Sequence, residues 1–156
     1  MDDYIYIGKI VNTHALKGEV RIISDFEFKD RVFNINNNLY IGNNKNKETI
    51  ETYRRHKNYD MVKFIGIDNI NDVLKYKGNT VYILSSQLIL NDDELLSDDL
   101  INIDAMYENI VIGKIKEYQN NNGNKIVKIN DIYIPYNKNF IEKIDIKNNK
   151  IYFKDI

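Results

Sequence analysis

Three polar clusters in this chain carry the residue types that chemistry needs. The break "NTHALKGE", Asn12 to Glu19, puts His14, Lys17 and Gly18 between two runs that alternate like β-strands. The stretch "YRRHKNYD" crowds Arg54, Arg55, His56 and Lys57 into one polar turn. An acidic run gathers Asp92, Asp93, Glu94, Asp98 and Asp99. A catalytic loop, an anion cradle, a cation site and a plain strand connection are the chemistries such patterns admit.

Most of these fail on residue type or spacing. General acid-base or nucleophilic catalysis needs convergent groups, and His14 and His56 are the only histidines. Neither has a second ligand at i+4, and with no cysteine in the chain a zinc site, a disulfide and thiolate chemistry are not expected. The acidic run lacks the Asp-x-Asp-x-Asp-Gly spacing and closing Glu of a calcium loop. It reads as solvated linker or helix-start acid. Gly8 and Gly18 are too far apart for a phosphate loop, and no Walker-type run exists. No cofactor is expected, and a non-enzymatic protein follows. Arg54, Arg55 and Lys57 read either as a solvated hairpin turn or as phosphate contacts.

The elements that position these clusters are strands. Ile and Asn together make up about a third of the chain, so Asn runs such as "NINNN" and "NNNGN" read as loops rather than signals. Short β-branched or aromatic runs are expected to form strands at 4–11, 19–24, 39–41, 50–56, 61–65 and 80–84. Further strands are expected at 105–107, 111–118, 125–130, 132–135, 142–146 and 150–153. A short helix fits "NINDVLKYKG", capped by Asn69 or Asn71, with Val73, Leu74 and Tyr76 inward and Gly78 ending it. The clearest hairpin is "KIDIKNNKIYF", turning at Asn148 and Asn149. The single proline, Pro135, should mark a strand end or a sheet edge.

The run "SSQLILNDDELLSDD" breaks the β-rhythm and offers little to bury, so the domain junction is placed there. The fold class is all-β: two small β-barrels in tandem with short helical turns, at residues 1–86 and 100–156, joined by an acidic linker at 87–99. Residues 1–90 carry 13 basic and 11 acidic side chains, a balance of +2, and residues 91–156 carry 9 and 12, a balance of −3. Two kinds of partner surface are expected from that difference. The acidic N-terminus and the lack of a long apolar run point to a soluble, cytoplasmic protein.

An ordered set of segments resembles one family. "IGKIVNTHALKGEVRI", "SDFEFKDRVF" and "YRRHKNYDMVKFIGIDNINDVLKYKGNTVYI" resemble the six-stranded N-terminal barrel of the ribosome maturation factor RimM family. "DDLINIDAMYENIVIGKIKEY" and "IYIPYNKNFIEKIDIKNNKIYF" are similar to that family's PRC-barrel domain. The resemblance implies a monomeric assembly factor that binds the head of the maturing small (30S) ribosomal subunit and assists 16S rRNA processing. It implies rRNA or subunit contacts at His14, Lys17, Gly18, Arg54, Arg55 and Lys57. It also implies contact with small-subunit ribosomal protein nineteen at Leu95, Leu96, Asp98 and Asp99. The chain departs from the family pattern at Asn12, Ala15 and Asn102, where Gly is usual, and at Leu95-Leu96, where a Tyr pair is usual. Asn tolerates left-handed backbone, whereas Ala does not readily. A β-barrel adaptor for another RNA or protein is the alternative reading, and an enzyme on a β-barrel a more distant one.

Overall fold

The computed structural model describes residues 2–14, 17–91 and 94–154. Every strand expected from the alternation is present, several of them longer than expected. In the first half these are β1 (Tyr4–His14), β2 (Glu19–Ile23), β3 (Asn38–Ile41), β4 (Asn46–His56), β5 (Tyr59–Phe64) and β6 (Thr80–Leu84). The second half holds β7 (Asp104–Tyr107), β8 (Ile110–Asn121), β9 (Asn124–Ile129), β10 (Ile132–Pro135), β11 (Ile141–Asp145) and β12 (Lys150–Phe153). Polar residues extend β4 and β8 because an antiparallel strand needs only one apolar face. The Asn-rich turns do the work that composition assigned them. Asn36, Asn109, Asn122, Asn130 and Asn149 all have positive φ, at or beside strand connections.

The chain forms two compact units, Met1–Ile89 and Leu90–Ile156. In the first, the strands close into a barrel in the order β1-β2-β5-β4-β3-β6. Register shifts in β1, between Tyr6 and Gly8 and between Ile10 and Asn12, bend it so that it pairs β6 with its first half and β2 with its second. Gly8 sits at that crossing. A Cβ there would lie 2.6 Å from the Ile23 carbonyl oxygen, so a larger residue would push β1 away from β2. The core is largely aliphatic, with Ile7, Ile10, Ile22, Leu39, Ile50 and Ile83 fully buried beside the aromatic Phe33, Phe64 and Tyr76.

Helix α1 (Ile70–Leu74) is capped by Asn69, whose Oδ1 accepts from the Asn71 N–H at 2.9 Å. Val73 and Tyr76, three residues apart, bury one face, and Gly78 leaves the turn at φ +86°. Leu74, expected inward, is exposed, because its neighbouring position points about 100° away from that face.

The second unit is a six-stranded sheet in the order β10-β9-β8-β7-β12-β11. Its pairs are antiparallel except β7 with β12, which run parallel. Its core gathers Leu100, Ala105, Ile115, Val127, Ile151 and Phe153. Pro135 is both the last residue of β10 and part of an edge strand, where its missing N–H costs no ladder bond.

Between the units, the side chains do more than expected from an acidic linker. A 3-10 turn at Ser85–Gln87 leads out of β6, and the Gln87 amide donates to the Asn38 carbonyl at 2.7 Å. Leu88 packs on the first core and Leu95 on the second. Asp92 and Asp93 lie outside the described residues. Among the described residues, no helix is long and apolar enough to cross a membrane.

Candidate binding surfaces

Cross-strand register decides which polar residues of the barrel share a face. On the outer face, Glu19 and Arg21 of β2 stand beside Lys63 and Met61 of β5, and Met61 stands beside Arg54 of β4. Arg54 reaches across β5 and clamps the buried Glu19 carboxylate with two hydrogen bonds, Nε to Oε2 at 2.9 Å and Nη2 to Oε1 at 2.8 Å. This planar fork is geometry that Lys could not reproduce. His14, opposite Glu19 in the β1–β2 ladder, places Nδ1 3.7 Å from Oε1, beyond hydrogen-bond distance. The Arg54 hydrogen bonds hold the Glu19 carboxyl below the usual carboxylate range, against the opposing effect of its burial. Lys63 extends the face with ion pairs to Glu51 and Asp68 at 3.2 and 3.3 Å.

The opposite parity carries the second charged cluster. Asp60 falls on the core-facing side with Val62, and opposite it stands Arg55, on the same side of β4 as Tyr53. Asp60 is fully buried and accepts from Lys29 Nζ at 2.9 Å, Arg55 Nη1 at 3.0 Å and the Tyr53 hydroxyl at 2.6 Å. Burial first, then donation to Asp60, pushes the Tyr53 hydroxyl up to about 12. Its ring stacks on Phe33 at 5.7 Å, so aromatic packing orients the hydroxyl.

Arg54 and Arg55, which looked like neighbours in one cationic turn, therefore serve different carboxylates on opposite faces. What sequence reasoning missed were the carboxylates, Glu19 and Asp60. Glu19 opens an expected strand and Asp60 directly precedes one, and neither position signals burial in the sequence. Lys57, at φ +54°, and Lys17 are exposed, without such an anchor. Gly18 has φ +69°, the conformation for which its type was expected in the turn before β2. Ala15 lies outside the described residues.

The second unit offers a different surface. Helix α2 (Ser97–Leu100) exposes Asp98 and Asp99 and buries Leu100. Leu95 packs against the core of its unit, and Leu96, half-buried, caps α2 with its backbone. The apolar residues that face solvent are elsewhere. Ile110 and Val111, at the start of β8, are 65% and 51% exposed, and Ile132 is 54% exposed. Close by, Tyr107, Ile112, Ile129, Ile132 and Ile134 line a groove of about 210 Å³. That is smaller than a typical small-molecule site of about 300 to 1,000 Å³. The sequence signal was the run "IVI": three consecutive aliphatics on a strand cannot all point inward. No group of three or more His, Asp or Glu side chains that could hold a metal ion occurs among the described residues.

A family model described as the RimM N-terminal domain matches residues 5–88. A ribosome maturation factor RimM from an Exiguobacterium species is 35% identical over 92% of this chain and 89% of its own. The chain belongs to the RimM family. The RimM of Ligilactobacillus salivarius is 37% identical over 96% of this chain and 94% of its own. Among solved structures, a Pseudomonas aeruginosa chain described as a 16S ribosomal RNA processing protein RimM aligns over 97% of both chains with a TM-score of 0.51. At 17% identity that likeness bears on the fold. Within the RimM pattern, Asn102 stands where Gly is usual and has φ +72°, so Asn supplies the left-handed backbone. Asn12 does not need such a backbone: it sits at the β1 bulge, and its Oδ1 accepts from the Thr13 N–H at 2.8 Å.

Proposed function

We propose that this RimM family member is a non-enzymatic assembly factor that binds the head of the maturing small ribosomal subunit in the cytoplasm, as a monomer. Its relatives carry the name ribosome maturation factor. The observation that carries the finer reading is the contrast between the two surfaces. The first unit presents Lys17, Lys57 and the partly exposed Arg54 with His14 and Gly18 by the turn before β2, and the partly exposed Arg55 on its other face, groups suited to rRNA phosphates. The second presents the bare aliphatic side chains Ile110, Val111 and Ile132 and the exposed Asp98 and Asp99, which suits a basic ribosomal protein, small-subunit ribosomal protein nineteen. Charge attraction gives such a contact rate and selectivity, while the apolar centre gives it lifetime. Leu95 supports the core, so the docking area centres on Ile110, Val111 and Ile132.

Cosedimentation of the full chain with immature and mature small subunits tests this. Selective capture of immature subunits is expected, with loss of ribosomal protein nineteen binding in Ile110→Asp. Equal capture of both subunit forms, or none, would overturn the proposal.

A further inference from the structure

The barrel carries an aromatic row that the charged surfaces above do not use. Tyr6 of β1 pairs across to Tyr82 of β6, and Tyr82 pairs across to Tyr40 of β3. Tyr40 in turn pairs with Lys47 of β4. Directly paired residues share a face, so three tyrosines and a lysine run side by side across four strands. Tyr4 joins them, with its ring 5.4 Å from Tyr40 and 6.3 Å from Tyr82, and Lys45 Nζ lies 4.2 Å from the Tyr82 ring centroid and 5.3 Å from that of Tyr4. Tyr4 and Tyr6 are 46% and 53% exposed. The neighbouring acid on β4, Glu48, leaves this face, accepting the hydroxyl of the buried Tyr76. At the other end Asp2 is tied to the Ser86 hydroxyl at 2.7 Å.

From this we infer that the face formed by Tyr4, Tyr6, Tyr40 and Tyr82, with Lys45 and Lys47, is a stacking platform for single-stranded RNA. The rings lie 5.4 to 6.3 Å apart and edge to face with one another, so bases would stack on individual exposed rings, Tyr6 first, rather than on one flat row. Lys45 lies over the Tyr82 and Tyr4 rings and Lys47 at the end of the row, and cations interleaved with exposed aromatic rings are the combination by which single-stranded nucleic acid is held. Tyrosine fits better than phenylalanine on a face that is wet when empty, because its hydroxyl stays hydrated while the ring remains free to stack. The inference goes beyond the proposed subunit contacts, which lie on other residues, and rests on that reading only for the choice of RNA over DNA.

The test uses the full chain and a labelled, unstructured oligouridine RNA of about twelve nucleotides, with a duplex RNA of the same length as control. Preference for the single strand is expected. Tyr6→Leu should weaken binding by about tenfold, and Tyr6→Phe by less than about twofold, since stacking of one base contributes about 1 to 3 kcal/mol. Replacing Lys45 and Lys47 by Gln should lower the salt slope by up to about two phosphates' worth. Thermal melting of each variant separates a folding defect from a binding defect. Equal binding by Tyr6→Leu and wild type, or equal affinity for duplex and single strand, overturns the inference. So does unchanged RNA binding in Tyr6→Leu together with loss of small-subunit capture, which would assign the face to a protein. Tyr-dependent RNA binding without capture of immature subunits would instead sink the assembly reading and leave this one standing.

Discussion

The two units treat charge in opposite ways. In the barrel, the two buried charged residues, Glu19 and Asp60, draw Arg54, Arg55 and Lys29 onto themselves, so much of the apparent basic surface is committed to structure. In the second unit, no charged residue is buried among the described residues, while both units leave aliphatic side chains at the surface, Ile35 and Ile65 in the first and Ile110 and Val111 in the second. A net charge counted along the chain therefore says less about the barrel's partners than about its internal pairing.

The strongest challenge to this contrast is to strip Asp60 of its cations. Lys29→Met with Arg55→Met leaves a fully buried carboxylate with only the Tyr53 hydroxyl. The expected loss is about 3 to 5 kcal/mol at neutral pH, the cost of an uncompensated buried charge. Adding Asp60→Asn should restore much of it in chemical denaturation, and failure of that rescue would mean that packing, not charge, holds this end of the barrel. A smaller loss is expected from Leu95→Ala. A half-buried leucine on the second core should lose about 1 to 2 kcal/mol, below the range for full burial. A stable variant that fails to capture subunits would place Leu95 at an interface instead.

Glu19 gives the barrel an acid sensitivity centred on a buried carboxylate. Its carboxyl is lowered in the folded state, so its stabilising effect is complete above its unfolded value of about 4.3 and is lost as pH falls through the lowered folded value. Glu19→Gln should cost on the order of 1 kcal/mol at pH 7, because Arg54 is partly exposed and screened. It should also flatten the fall in stability below about pH 5. An unchanged acid-unfolding profile would show the Arg54 fork to be energetically idle. The smallest effect on stability should come from Ile110→Asp, about 0.5 kcal/mol or less at an exposed position, with about tenfold or more lost in partner affinity. Limited proteolysis sharpens the same comparison along the chain. Ile89 is 81% exposed between the anchored Leu88 and Leu95, so the first cut is expected within 89–94.

Periodicity, turn chemistry and the ordered family segments made the all-β class, the twelve strands, a cap at Asn69 or Asn71 and a strand end or edge at Pro135 legible, because each depends on residues close in sequence. The closing hairpin was equally clear, since Asn149 could adopt the positive φ that its turn requires. The partners of Arg54 and Arg55 were not legible. Glu19 lies 35 residues from Arg54, and only closure of β2 and β4 around β5 brings them together. The parallel pairing of β7 with β12 and the tyrosine row across β1, β6 and β3 were hidden for the same reason. An alternating strand fixes which of its side chains share a face, but the neighbour that each face meets is decided by register, and register is settled only when the sheet folds.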